Sequence, residues 1–154
     1  MAFSGACYLL PRLFHVPVTL DLAFYAVLLG SLFPDIDHPE AFLPNHFTPL
    51  KRVSEYTGHR QIVHSLIASI AFGLAALAIS LYFAFGVLVA FWFWFGYATH
   101  LVADSMTKSG VGWLQPFDEE RKVRGPIQTG SSLEQALFVL LTAVGSYLFL
   151  FVTV

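Results

Sequence analysis

An all-α bundle of transmembrane helices, four spanning and one more at the N-terminus, is the fold predicted by this sequence, and three observations predict it. Charged side chains make up 12% of the 154 residues and apolar ones 56%, against about 25% and about 45–50% in soluble domains. A large core does not explain the shortage of charge, because a soluble domain of this size must still expose much of its surface. Residues 65–99 carry no charged side chain, well beyond the roughly 20 residues that one crossing requires. Finally, two polar segments, 34–60 and 106–132, both rich in proline or glycine, separate the apolar spans.

Residues 2–14 form a short apolar segment closed by Pro11-Arg12, a helix that is truncated, interfacial or partly inserted. The first full span is 18–33, interrupted by Asp21 near its start. Pro34, Pro39, Pro44 and Pro49 then forbid a continuous helix through 34–60. The uncharged run holds two helices, at 61–84 and 87–105, with a tight turn over 82–86 punctuated by Gly86. Gly110, Gly112, Pro116, Gly125, Pro126 and Gly130 break the next segment. The last span, 133–154, opens on Ser131-Ser132-Leu133-Glu134, a capping box in which Ser131 and Glu134 satisfy the first amide donors.

The length fits a single domain, 1–154. A net charge of −2 offers no basic excess for a phosphate backbone, so nucleic acid is not an expected partner. Cys7 is the one cysteine, which excludes an internal disulfide and reads as packing. Neither Lys nor Arg precedes Arg12, and no cleavage site is evident, so a cleaved signal peptide is not expected.

Three polar clusters carry the chemistry: Asp35, Asp37 and His38 after the first full span, His59 and His64 around the start of the next, and His100 with Asp104 near the end of the third. His100 and Asp104 are four apart on one helix, so they face the same side. Following the chain through the bilayer, the first full span ends on one membrane face, the second starts there, and the third returns to it. Topology therefore brings all three clusters to one face. Imidazoles and carboxylates without thiolates suit zinc, manganese or iron rather than a structural zinc knot, with zinc favoured. Seven potential ligands exceed the four of one closed zinc site, which points to two ions or to one ion with supporting residues.

Plainer readings stand beside these. His100 and Asp104 also make sense as a hydrogen-bonded helix pair, although ionisable groups within a membrane are costly and usually functional. Asp35, Asp37 and His38 also read as a solvated helix end. His59 and His64 are five apart and do not share a helical face, so one of them is expected behind the ligands rather than among them. Arg60 reads equally as a partner for a substrate phosphate and as a headgroup anchor. His15 and His46 receive no role, and Trp92 and Trp94 read as packing or lipid-facing.

The ordered set Pro34-Asp-Ile-Asp-His38, Gly58-His-Arg…His64-Ser65, Gly96-Tyr…His100-Leu…Asp104…Thr107…Gly110, Pro116-Phe117 and Thr129-Gly-Ser131…Glu134 resembles the YdjM-like family of LexA-regulated, membrane-bound proteins described as metal-dependent hydrolases. The resemblance covers residues 30–134. It implies a metal-dependent hydrolase similar to zinc-dependent phospholipase C-like enzymes. The family pattern also carries a histidine just before a stretch like Phe3-Ser4-Gly5-Ala6. Only Met1 and Ala2 precede that stretch here, so the expectation is either a truncated start or a site lacking that ligand.

The functional expectation is a metal-dependent hydrolase at the membrane, with a phosphoester such as a phospholipid headgroup as favoured substrate. Asp35, Asp37, His38, His59, His64, His100 and Asp104 would hold one or two ions and their water. Arg60 would steady the phosphate, and Glu134 would support the surrounding shell. The alternative is a non-enzymatic membrane protein, either a metal transporter or a metal-stabilised scaffold. A transporter needs polar groups along a path through the bilayer, and the two central spans offer only Ser69, Ser80 and Thr99. Seven of the eight Lys and Arg residues (Lys51, Arg52, Arg60, Lys108, Arg121, Lys122 and Arg124) lie on the face of the clusters, and Arg12 alone on the other. Short basic loops stay inside, so the site is expected to face the cytoplasm of a bacterial or archaeal cell.

Overall fold

The computed structural model describes residues 2–10, 22–37, 63–118 and 120–150. Among them, every regular element is helical: α1 (Ala2–Leu9), α2 (Leu22–Leu32), α3 (Leu66–Tyr82), α4 (Val87–Ser105) and α5 (Ser132–Leu150), with a 3-10 turn over Phe33–Asp37 after α2. The all-α expectation therefore holds for the described residues. The four-span expectation is met only in part. α4, with 19 residues, is long and apolar enough to cross a membrane, whereas the apolar stretches Leu22–Asp35, Leu66–Tyr82 and Ser132–Leu148 are shorter. Only 28% of the α4 stretch is buried within the molecule, so it is not an enclosed core helix. Leu74, Leu88, Phe138 and Val139 likewise turn outward, each more than half exposed.

The turn between α3 and α4 falls where the sequence puts it. Ala84 and Gly86 both have positive φ there, at 57° and 92°, and Phe83 closes α3 with its backbone N–H on the Ile79 carbonyl. The start of α3 is a correction: helix begins at Leu66, not 61. Ser65 takes an extended conformation and its hydroxyl accepts from the Ala68 N–H, the N-cap arrangement that satisfies a free first-turn donor. Residues 63–64 form a turn outside the helix. α2 ends because Pro34 lacks the donor to continue it; Ser31 bonds back to the Leu28 carbonyl.

α2 and α4 make the closest pair, and two glycines allow it. A Cβ at Gly30 would fall on the Phe93 carbonyl, and one at Gly96 on the Val27 carbonyl. Each backbone thus rests on the other's glycine, a packing mode favoured where lipid gives helices no hydrophobic reason to associate. α1 lies against the same pair, with the Thr99 hydroxyl on Ser4 Oγ at 2.8 Å, and α5 packs against α1. One apolar cluster (Tyr8, Leu9, Val27 and Leu148, with Trp92 and Phe95 against them) joins α1, α2, α4 and α5. A second, around Tyr97, Leu101 and Val111 with Phe33, Val63, Phe72 and Trp113, underlies the polar end of the bundle.

Residues 106–118 and 120–131 fold back over that end. Thr107 bridges to Ile127 and Val111 to Val123, through backbone bonds that include Val111 N–H to the Val123 carbonyl at 3.0 Å and the reverse at 2.9 Å. The Trp113 carbonyl accepts from the Leu66 N–H at 3.0 Å, and the Trp113 indole N–H donates to Ser105 Oγ at 2.9 Å. The loop so ties the start of α3 to the end of α4.

Candidate metal centre

The end of α2, the start of α3 and the end of α4 converge. One donor atom from each of Asp35, His64 and His100 lies within 4.8 Å of the other two. Asp104 joins from the next turn of α4. Its Oδ2 is 3.3 Å from His100 Nε2 and 3.6 Å from His64 Nε2. Asp35 Oδ1 stands 3.6 Å from His100 Nε2 and 3.7 Å from His64 Nε2. The two rings are tilted at 57° with centroids 5.6 Å apart. The imidazoles are mostly covered (21% and 12% exposed), whereas the carboxylates of Asp35 and Asp104 are 46% and 38% exposed. The centre therefore has an inner histidine side and an open carboxylate side.

The tautomer of His100 follows from its partner. Its Nδ1 lies 2.8 Å from the Ser31 carbonyl, which can only accept, so Nδ1 carries the proton. In the neutral ring Nε2 is then a lone pair. That nitrogen is buried and makes no well-formed hydrogen bond, while two carboxylate oxygens face it. A lone pair aimed at carboxylate oxygens is repulsive unless a cation or a proton lies between them. Around one ion held at about 2.0–2.2 Å, tetrahedral donors sit about 3.3–3.6 Å apart, close to the 3.7 and 3.6 Å that separate Asp35 Oδ1 from the His64 and His100 nitrogens. The donor set could hold a metal ion, and a backbone carbonyl on the remote nitrogen is the usual support for a ligating histidine.

Each of these side chains is held by local structure. His64 precedes the Ser65 cap, and the Tyr97 hydroxyl donates to the Val63 carbonyl from one turn before His100 on α4. Asp104 sits at the end of α4, where the Thr107 hydroxyl donates to its carbonyl at 2.7 Å. Asp35 occupies the 3-10 turn that Pro34 forces. Sequence reasoning singled out the four side chains that meet here but missed Tyr97, Ser65 and the Ser31 carbonyl. The His64-Ser65 step before an apolar run was a legible cap, and Tyr97 lies three before His100 on one helical face. Nothing in the identity of residue 31 marks its carbonyl.

Of the sequence-predicted site residues, the structure thus brings together Asp35, His64, His100 and Asp104. Glu134 is placed in its own helix cap: its backbone N–H donates to Ser131 Oγ, as the capping box expects, while its Oε2 accepts from the Gly130 N–H rather than from Ser131. The side chain of Asp37, and all of His38, His59 and Arg60, lie outside the described residues.

An apolar helical bundle with a histidine–carboxylate group at one end defines a class: a membrane protein with side chains that could hold a metal ion where the helices end. The chain belongs to the YdjM inner membrane protein family, whose pattern it matches over residues 1–154. It is 32% identical over 138 residues to the inner membrane protein YdjM of Escherichia coli (strain K12), an alignment covering 74% of this chain and 62% of that relative. The Bacillus subtilis (strain 168) protein YvsG is 32% identical over 124 residues, covering 79% of this chain and 74% of YvsG. The chain thus spans about three fifths of the length of the E. coli relative. No solved structure matches.

Proposed function

We propose that the protein is a divalent-metal-dependent hydrolase of phosphoesters at the membrane surface, with a phospholipid headgroup ester as favoured substrate and zinc as favoured metal. The observation that carries this reading is the Asp35–His64–His100 donor group, with Asp104 beside both imidazoles and its carboxylate side open. Closed structural zinc sites enclose the ion in four protein ligands, whereas hydrolytic sites leave a position for water or substrate. A bound divalent ion supplies Lewis acidity toward a phosphoryl oxygen and acidifies a water. The chain's own part is to orient His100 through the Ser31 carbonyl with Nε2 toward the carboxylates, to fix His64 through the Val63–Tyr97 bond, and to keep two carboxylates at the mouth. Whichever of Asp35 and Asp104 does not ligate is placed to accept a proton from an attacking water. The clusters and the basic loops share a face, so the reading places the reaction on the cytoplasmic side.

Metal analysis of detergent-purified protein should find at least one zinc, manganese or iron per chain. Hydrolysis of phosphodiester and phospholipid substrates by the loaded protein should then cease on chelation and return on adding metal. Bound metal without turnover across that panel would leave a metal-stabilised scaffold. Protein that neither carries metal nor takes it up on reconstitution would end the metal reading altogether.

A further inference from the structure

A second feature runs along the bundle below the metal centre. Between α2, α3 and α4 lies a cavity of about 280 Å³ whose lining is apolar apart from Ser80 and the Tyr25 hydroxyl. Its floor is made of small residues, among them Ala26 and Ala90, both buried. Its sides include Tyr25, Leu29 and Ile79, which are 60%, 58% and 55% exposed, so the cavity is a groove opening sideways out of the bundle. At the end nearest the metal centre stand Phe33, Phe72 and Phe93, with Phe33 centred 4.9 Å from Phe72 and 5.5 Å from Phe93.

The chemistry of this groove selects its occupant. Water gains too few partners on such walls to stay, and close packing disfavours leaving the space empty. In a member of an inner membrane protein family, the medium at a lateral opening of this kind is hydrocarbon. The register adds the second half of the argument. Phe33 is two residues before Asp35, about 4 Å along a 3-10 turn. Phe93 is seven before His100, on the same face of α4 and about 10 Å along its axis. A chain lying in the groove therefore carries its polar end to the level of the donors.

We propose that this groove binds one acyl chain of a membrane phospholipid and thereby presents that lipid's phosphate ester to Asp35, His64 and His100. The groove's occupancy stands alone, while the presentation rests on the hydrolase reading above. The test reconstitutes the full chain in phosphatidylethanolamine–phosphatidylglycerol vesicles containing phosphatidylglycerol with a photoactivatable diazirine on one acyl chain. Crosslinks mapped by mass spectrometry should fall at Ala75, Ala76, Ile79 and Val89 at least fivefold more often than at Leu140, which is exposed on α5. Ala76→Phe, which fills the groove, should cut the groove crosslinks at least fivefold at unchanged metal content. The same substitution should lower the ratio of phosphatidylglycerol to bis(p-nitrophenyl) phosphate hydrolysis at least fivefold. Crosslinks no denser in the groove than at Leu140, or crosslinks there to a second copy of the chain, would overturn the lipid site, and the wild-type map decides this even if the variant does not fold. An equal fall for both substrates would overturn the presentation. A wild-type protein that turns over neither substrate, yet crosslinks in the groove, would defeat the hydrolase reading and leave the lipid site standing.

Discussion

At the scale of single residues, the arrangement around His100 makes the sharpest demands. Its Nδ1–H is committed to the Ser31 carbonyl, so its other nitrogen is the one turned to the carboxylates, with a cation or a proton needed between them. His100→Ala, His64→Ala and Asp35→Ala should each strip bound metal, read as metal per chain after gel filtration, while His46→Ala retains it. Equal metal in all four variants would refute the assignment. Asp104→Ala should also lower metal content, because its Oδ2 stands 3.3 Å from the same nitrogen. Tyr97→Phe is subtler. It removes the hydroxyl's bond to the carbonyl of Val63, the residue before His64. Supporting residues of this kind typically change metal affinity about 10–100-fold, so a chelator titration should show at least tenfold weaker binding with the helical circular dichroism unchanged. Unaltered affinity would mean that Ser65 and Trp113 suffice to hold His64.

At the scale of elements, the site depends on how far α2 slides along α4. The two glycines set that distance, since a side chain at either would strike the partner's backbone rather than a flexible tip. Gly30→Ala and Gly96→Ala should therefore cost about 1–3 kcal/mol each, as overpacking does, and should weaken metal binding by moving Asp35 away from His100. Gly145, on α5, has nothing within contact range of an added Cβ. Gly145→Ala should be neutral, or stabilising by about 0.5–1 kcal/mol through helix propensity. Thermal unfolding in detergent measures all three, and a Gly145 variant as unstable as the Gly96 variant would remove the close-approach explanation. How legible these elements were varied for definite reasons. The α3–α4 turn and the extent of α4 could be read because an uncharged run of that length must reverse within the bilayer. The start of α3 was misplaced because hydropathy runs on smoothly through Ile62 and Val63, whereas the helix is started by a single hydroxyl at Ser65.

At the scale of the whole molecule, orientation is the property that decides which lipids and solutes the site meets. Ser109 is exposed in the loop over the centre. In a Cys7→Ala background, a cysteine at Ser109 should resist a membrane-impermeant thiol reagent in intact cells and react after lysis. Labelling in intact cells would place the centre on the outer side and direct the search to extracytoplasmic substrates.

The sequence by itself determined that the chain is helical and apolar, that its polar clusters share one end, and that histidine and carboxylate are the chemistry there. Those properties follow from composition and from the alternation of spans, which no detail of packing can reverse. Tertiary structure alone decided which donors meet and in what state. The distance between Asp35 and His100 depends on Gly30 and Gly96 letting two backbones touch, and the lone pair on His100 depends on a main-chain carbonyl, a group every residue possesses. The groove beside α3 belongs to the same category, because a cavity is the space that three helices fail to fill, and that is a property of their packing and of no one segment.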